Sequence, residues 1–191
     1  MASKGDSLLE RVAASLGHGS GTPSSPVGMK SILSQAATSY AKRPTAAEET
    51  MPTGFDPRAA VLFEAVVEAA FLVANADGDF DAEERRTFEA VVTEACQNDL
   101  VPGELHDLVN DLCQLLDSQG LERRVRAVCL AVSYPVHKVE VLRIAALMAH
   151  ISGGVKQAER DVLQLLAQGM KLGPDAVGAA LVQAERALRG E

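Results

Sequence analysis

Apolar residues recur at helical spacing along most of this chain. From residue 56 onward, positions i, i+3, i+4 and i+7 are repeatedly apolar, and Ala and Leu supply most of them. The alternation of Val, Ile, Tyr and Thr that fills a pleated surface is missing. The pattern therefore predicts an all-α fold. After residue 55 it predicts seven helices, at about 57–75, 82–97, 103–117, 121–133, 136–150, 156–169 and 174–189.

The first of these helices has the clearest signals. Asp56 has the chemistry of an N-cap, and Pro57 suits the first helical position. The helix is apolar nearly all round, apart from Glu64 and Glu68, which predict one narrow stripe in contact with water. We therefore expect a central helix that ends near Gly78.

The first 54 residues differ from the rest. Residues 17–26 and 44–54 are rich in Gly, Ser, Thr and Pro, which is typical of linkers. They flank two short amphipathic patterns, at about 8–16 and 29–40. Because isolated helices this short are marginal in water, we expect them to fray or rest loosely on the domain, unless they dock on a partner. The prediction is a flexible extension at 1–54 with one or two short amphipathic helices, followed by a helical domain at 55–191.

A weak internal repeat relates positions that lie 75 residues apart. Residues 74–85 align with 149–160, and the alignment keeps the Gly, the apolar residue two positions later and the Glu-Arg pair. Self-similarity of this kind predicts two related helix–loop–helix units. We expect them to pack as two overlapping antiparallel bundles, with the first and fifth of the seven helices at the centre.

The net charge is −8, which argues against binding nucleic acid or an anionic membrane through bulk electrostatics. The charge is unevenly distributed. Residues 77–117 hold twelve acidic and two basic residues, whereas residues 118–191 hold seven acidic and ten basic ones. Asp107 and Asp111 extend the acidic face, and Arg123, Arg124 and Arg126 form a basic cluster that could meet an acidic partner. The alternative is a pair of solvated faces.

Compartment and enzyme signals are sparse. Cys96, Cys113 and Cys129 lie on apolar stripes without a CxxC pattern, so we expect small buried hydrophobic residues in a reducing compartment. The amino-terminal pattern is not that of a signal peptide, and no run of 18 apolar residues occurs. These features predict a cytoplasmic protein without direct membrane insertion. The scattered histidines and the lack of nucleophile or phosphate-loop motifs predict that it is not an enzyme.

An acidic loop between the first two helices of the domain concentrates the candidate chemistry. Residues 77–84 hold five carboxylates, which repel one another at that density. A hard cation such as Ca²⁺, Mg²⁺ or Mn²⁺ would relieve the repulsion, because such ions prefer carboxylate oxygens. We therefore predict a divalent metal site formed by Asp77, Asp79, Asp81 and Glu84.

The loop resembles a calcium-binding EF-hand loop only in part. With Gly78 at the sixth position, Glu84 takes the bidentate twelfth, but Val73 takes the first, where a ligand is required. An orthodox EF-hand is therefore disfavoured. The corresponding second loop has Ser152 and Gly154 in place of two carboxylates, and we expect it to bind nothing.

Helix capping is the competing explanation for the same residues. Gly78 could be the left-handed residue that ends the first helix, and Asp81 with Glu84 has the spacing of a capping box. In the second copy the N-cap position holds Lys156, which cannot accept a hydrogen bond, yet Glu159 is kept. Capping alone therefore does not explain the Glu, although a carboxylate in a first helical turn also gains from the helix dipole.

The sequence Ala76-Asp77-Gly78 followed by Glu84, with a degenerate copy at Ser152-Gly153 and Glu159, resembles the tellurite-resistance TerB family. The resemblance covers about residues 57–188, and the family includes a domain of the DnaJ-like co-chaperone DjlA. It implies an all-helical domain of seven helices in two overlapping bundles. It also implies a cytoplasmic, non-enzymatic role in bacterial tellurite and stress resistance, with protein partners in complexes near the inner membrane.

The family's acidic loop is thought to bind a metal ion, and its acidic pair corresponds to Asp77 and Glu84, with Asp79 and Asp81 as auxiliary ligands. Many members keep a second Asp where this chain has Ser152. The leading hypothesis is thus a metal-binding protein-interaction module. The alternative is a structural scaffold or adaptor whose acidic loop only caps helices.

Overall fold

The computed structural model describes residues 6–19, 29–44, 52–78, 80–97, 99–101, 103–151 and 154–189. These residues form helices and connecting loops without any strand, so the predicted all-α class is confirmed for them. The helices are α1 Asp6–Gly17, α2 Ile32–Tyr40, α3 Pro57–Ala74, α4 Ala82–Ala95, α5 Glu104–Gln119, α6 Leu121–Ala131, α7 Pro135–Met148, α8 Gln157–Gly169 and α9 Ala176–Arg189.

The described residues therefore contain nine helices where the fold prediction gave about seven. The additional two, α1 and α2, lie before residue 55, in the segment predicted to hold one or two short amphipathic helices. The arrangement in two overlapping bundles stays a prediction. None of the described helices has both the length and the apolar character needed to cross a membrane.

The two amino-terminal helices share the core of the rest of the chain. Val12 and Leu16 of α1 and Leu33 and Ala37 of α2 are buried in one cluster with the apolar faces of α3 and α7. Helix α1 packs on α4, α7 and α9, and α2 packs mainly on α3. In its described part the extension is thus docked on the domain, whereas most of the two predicted linkers lies outside the described residues. The boundary at residue 55 stays a prediction.

Close approach of backbones fixes one of these contacts. Gly17 ends α1 against the last turn of α4, and a Cβ atom at this position would lie 2.7 Å from the carbonyl oxygen of Ala95. That distance is shorter than real Cβ contacts allow, so the packing of α1 on α4 requires a residue without a side chain.

Helices α3 and α7 are buried along most of their length and pack on each other. Asp56 caps α3 as predicted, with its Oδ1 accepting from the backbone N–H of Arg58 at 2.9 Å. The predicted wet stripe is wrong at one of its two positions. Glu64 is exposed, but Glu68 is only 7% exposed because α6 covers it. Its carboxylate accepts from Arg124 at 2.6 Å (Nε to Oε1) and 2.9 Å (Nη2 to Oε2).

Helix α7 also buries a charged pair. Arg143 donates from Nε and Nη2 to Oε1 of Glu140 at 3.0 and 2.6 Å, within the same helix. Its Nη1 donates to the carbonyl oxygen of Ser15 at 3.3 Å and so joins α7 to α1. A buried charge is tolerated only when it is paired and hydrogen-bonded, and both conditions hold here.

The predicted burial of the cysteines is confirmed for Cys96 and holds only in part for Cys113 and Cys129. All three are free thiols; Cys96 is buried, and Cys113 and Cys129 are half-buried. Burial raises the pKa of Cys96 to about 12 and raises the pKa of the other two above the ordinary value. Because the thiolate is the reactive form, these side chains act as small hydrophobic residues at neutral pH.

Candidate functional site

The acidic loop joins α3 to α4 and is anchored by an aromatic side chain. Phe80 packs edge-on against Phe71 and Phe88, with ring centroids 5.3 and 5.9 Å apart. Gly78 takes a φ of +82°, a left-handed conformation that a residue with a side chain would adopt at a cost. The path of the loop is therefore set by one apolar anchor and one glycine. Asp79 lies outside the described residues.

Asp81 and Glu84 form a capping box at the start of α4. Oδ1 of Asp81 accepts from the backbone N–H groups of Glu83 and Glu84 at 2.7 and 2.9 Å. Oε2 of Glu84 accepts in return from the backbone N–H of Asp81 at 3.4 Å. These bonds, first that from Glu84 and then that from Glu83, lower the pKa of Asp81. The structure therefore contains the capping box that the spacing of Asp81 and Glu84 indicated.

Asp77 faces a lysine from the second half of the chain. Its Oδ2 accepts from Nζ of Lys156 at 2.9 Å, which joins the α3–α4 loop to the start of α8. The hydrogen bond to Asp77 raises the pKa of Lys156. The sequence indicated that Lys156 cannot cap a helix through its side chain, but gave no sign that it reaches the other loop.

The start of α8 keeps half of a capping box. Oε2 of Glu159 accepts from the backbone N–H of Lys156 at 2.6 Å, and the Glu159 side chain is buried. The lysine ammonium has no lone pair to receive the N–H groups of the first turn. The Glu159 side chain therefore holds the backbone at the start of α8, while the Lys156 side chain extends toward Asp77.

Three of the predicted metal ligands, Asp77, Asp81 and Glu84, make hydrogen bonds within the chain. Asp81 and Glu84 bond to the backbone of α4, and Asp77 bonds to an ammonium group. Across the described ranges, no three His, Cys, Asp or Glu side chains come together in a way that could hold a metal. The predicted contribution of Asp79 falls outside those ranges.

A pocket of about 280 Å³ lies beside the loop. Its floor is apolar, and carboxylates stand at its rim; the lining residues are Ala74, Phe80, Asp81, Glu83, Glu84, Thr87, Phe88, Met148 and Ile151. Two of the rim carboxylates are those of the capping box. The pocket is therefore bounded by groups whose positions are fixed by helix packing and capping.

Several carboxylates of the acidic region are paired with basic residues. Lys30, between α1 and α2, donates to Asp99 at 2.9 Å, and Arg43 after α2 lies 3.6 Å from Glu104. The bond from Lys30 is the main reason why the pKa of Asp99 is lowered. The amino-terminal extension thus brings positive charge to the acidic part of the domain, a link that the sequence did not indicate.

Glu89 of α4 is paired within the acidic region itself. It bonds to Arg85 at 2.8 Å and contacts His106 at 3.2 Å. The predicted Asp107 and Asp111 are exposed on α5, so the acidic face remains charged beyond these pairs.

The predicted basic cluster on α6 is divided. Arg123 and Arg126 are exposed, but Arg124 is turned toward α3 by its two bonds to Glu68. The prediction of three arginines facing a partner is therefore wrong for Arg124. Helical spacing explains the division, because consecutive residues lie about 100° apart around a helix axis and face different neighbours.

Two histidines are partly buried. Burial lowers the pKa of His137 and of His150 below the usual value. His106 is exposed, and its Nδ1 lies 3.2 Å from Oε1 of Glu89.

Comparison with known proteins returned no family model, no curated protein and no solved structure that matches this chain. The likeness to the TerB family therefore rests on the residues of the two loops. What that likeness implies for function stays a prediction.

Proposed function

We propose that this chain is a non-enzymatic, helical protein-interaction module whose acidic loop is engaged by contacts within the chain and does not depend on a metal ion. The observation that carries the proposal is the 2.9 Å contact between Asp77 and Lys156. The ammonium group of Lys156 contacts the carboxylate of Asp77, for which the sequence predicted a bound metal ion.

The capping box supports the same conclusion. Asp81 receives two backbone N–H groups, and Glu84 receives a third. These bonds satisfy donors that every helix start leaves without an intrahelical partner. The loop thus has a structural use for the carboxylates of Asp81 and Glu84.

The proposal includes the arrangement of two overlapping bundles derived from a repeat. Helix α8 begins 75 residues after α4, the same offset as in the sequence alignment. At that offset Lys156 takes the position of Asp81. The contact of Lys156 with Asp77 then joins the loop of one unit to the helix start of the other.

The biological setting follows from the resemblance alone. Residues 76–78 with Glu84, together with their degenerate copy, support a role in a bacterial tellurite or stress-resistance system. In that role the chain would be cytoplasmic and would bind protein partners, including those of a membrane-associated complex. Nucleic acid is disfavoured as a partner because the net charge is −8.

The second candidate is a divalent-ion site for Ca²⁺, Mg²⁺ or Mn²⁺ at Asp77, Asp79, Asp81 and Glu84. The density of carboxylates in residues 77–84 favours it. In this case a divalent ion would compete with the ammonium group of Lys156 for Asp77.

Calorimetric titration with Ca²⁺, Mg²⁺, Mn²⁺ and Zn²⁺ separates the two candidates. The proteins are the wild type, Asp77→Asn and Lys156→Met, with Asp117→Asn on the exposed face of α5 as a matched control. We expect no binding heat in any of them and a melting temperature that does not respond to the ions, since a ligand selective for the folded state would raise it.

A saturable heat in the wild type that disappears in Asp77→Asn would establish the ion site and overturn the metal-free proposal. Heat that appears only in Lys156→Met would show that the lysine stands in for an ion, which supports the proposal for the natural chain.

A further inference from the structure

A groove on the side of α6 gathers exposed apolar side chains. It lies between the first turns of α3, the end of α6 and the start of α7, and it encloses about 780 Å³ open to solvent. Three of its lining residues are large apolar side chains with high exposure: Leu130 (76%), Tyr134 (58%) and Val61 (48%). Leu130 is the most exposed large apolar residue in the described part of the chain. Isolated exposed hydrophobic residues are ordinary, but a group of them in one depression marks an interaction site.

The groove continues along α6 into a basic depression. Arg123, Arg126, Ala127 and Leu130 line this second depression, and Leu130 also lines the first. The spacing of three, four and seven residues places these side chains on one face of the helix. Neither arginine takes part in an ion pair with another described residue. Their guanidinium groups are thus available at the edge of an apolar surface.

Two carboxylates also border this surface. Asp56 lines the groove, but its side chain caps α3 through the backbone N–H of Arg58. Glu122 lines the basic depression and is exposed. Against these, Arg58 of the groove adds a third exposed guanidinium to those of Arg123 and Arg126. The surface therefore combines apolar side chains with three exposed arginines and two carboxylates, one of which caps α3.

We propose that this groove, here called the α6 groove, binds an acidic amphipathic helix of a partner protein. The proposal rests on the proposed function as an interaction module and names the kind of partner. From Arg123 to Leu130 the surface follows two turns of α6, about 10 Å, which matches two turns of a docked helix. Such a helix would present apolar side chains at i, i+3 or i+4, and i+7 to the floor. Its Asp or Glu side chains would meet the arginines, whose planar guanidinium groups suit carboxylates.

A second copy of this chain is a poorer occupant. The acidic part of the chain spans residues 77–117, and among its described residues only Val101 is a large, exposed apolar side chain. Several of its carboxylates are already paired, as at Asp99 and Glu104. That region supplies negative charge without the apolar stripe that the α6 groove would cover.

The test uses a fluorescein-labelled 15-residue designed peptide as probe, with Leu at i, i+3, i+4, i+7, i+11 and Glu at most other positions. Fluorescence polarisation measures its affinity for the full chain, for Leu130→Ser and for the double variant Arg123→Glu with Arg126→Glu. Val182→Ser (47% exposed) and Arg186→Glu, both on the solvent side of α9, are the matched controls. Because every altered residue is exposed, the variants keep the wild-type melting temperature within about 2 °C.

We expect Leu130→Ser and the double arginine variant each to weaken binding about tenfold or more, as for a central apolar anchor and its charged neighbours. The controls should stay within about twofold of the wild type. A peptide with Lys in place of Glu should bind the double arginine variant better than it binds the wild type. Binding to the wild type should weaken as salt rises.

Several results would overturn the proposal. These are no binding to the wild type, an equal loss in the α9 controls, or unchanged binding in the groove variants. Sedimentation that shows a wild-type dimer, dissociated by Leu130→Ser, would identify a second copy as the occupant instead. None of these results affects the heat measured when metal ions are titrated into the protein. Failure of the α6 groove proposal can therefore be told apart from failure of the proposal that the acidic loop works without a metal ion.

Discussion

The segments α3–α4 and α7–α8 each bury a charged side chain in their first helix, and the charges of Glu68 and Arg143 have opposite signs. Glu68 of α3 and Arg143 of α7 lie 75 residues apart, the offset that also separates the starts of α4 and α8. Both side chains are buried. Glu68 is neutralised from outside by Arg124 of α6, whereas Arg143 is neutralised by Glu140 within its own helix. The comparison teaches that a buried charge can take its partner from a neighbouring helix, as Glu68 does, or from its own helix, as Arg143 does.

The starts of α4 and α8 differ in a related way. Asp81 caps α4 through its side chain, while Lys156 at the corresponding position of α8 cannot. Glu84 and Glu159 each accept from the backbone N–H of the N-cap residue. Lys156 leaves α8 without a side-chain cap, and it makes the contact with Asp77. The N-cap residue of α4 thus makes a local hydrogen bond with its side chain, whereas the N-cap residue of α8 uses its side chain for a contact with a distant segment.

We expect the largest effect on stability from breaking the buried Glu140–Arg143 pair within α7. Arg143→Met removes the arginine that neutralises Glu140 in the core, and we expect the free energy of unfolding to fall by about 3 kcal/mol or more. Urea denaturation followed by circular dichroism measures the change. The paired variant Arg143→Met with Glu140→Leu removes both charges and should recover part of the loss.

A double variant that is less stable than Arg143→Met alone would contradict this account. It would mean that Glu140 contributes to stability mainly through groups other than the arginine.

The pair between α3 and α6 should cost less to break. Arg124→Met leaves Glu68 at the edge of the core, where the carboxylate can regain water, so we expect a loss of about 2 kcal/mol. The control is Arg123→Met, one residue earlier and exposed, which should change stability by less than about 0.5 kcal/mol. The same urea experiment measures both. Equal effects for the two arginines would show that the bidentate contact with Glu68 adds nothing to stability.

The helical pattern was readable from the sequence because the apolar periodicity of these helices is long and regular. The start of α3 at Pro57 and the N-cap at Asp56 were predictable from the local chemistry of helix starts. The docking of α1 and α2 was not, since the burial of Val12 and Leu33 comes from contacts with distant helices. Propensity describes a helix by itself, and tertiary packing supplies most of its stability.

The candidate site shows the same division between local and distant interactions. The capping box of Asp81 and Glu84 lies within four residues, and sequence spacing was enough to suggest it. The contact between Asp77 and Lys156 spans 79 residues, and one sequence holds no signal for a pair at that separation. The burial of Glu68 was missed for the same reason, because its partner belongs to another helix.

The smallest expected effects come from the two helix starts. Asp81→Ala removes the side-chain cap of α4 and should lower the melting temperature by about 3 °C. Lys156→Ala removes only an exposed ion pair and should lower it by less than about 1 °C. A larger effect for Lys156→Ala would mean that the contact between the two loops, and not the cap, carries the stability of this region.

The charge of Asp81 adds a dependence on pH that separates the carboxylate from the cap. Asn is as good an N-cap as Asp, so Asp81→Asn keeps the hydrogen bonds and removes the titration. Because the pKa of Asp81 is lowered in the folded state from 3.8, its ionised form contributes stability above about pH 3.8, and this contribution is lost as the pH falls through the folded pKa. The advantage of the wild type over Asp81→Asn, measured by thermal melts between pH 7 and pH 2.5, should therefore shrink with acid. An advantage that stays constant over this range would show that the two backbone N–H groups favour an acceptor of any charge, and that the dipole of α4 contributes nothing at this position.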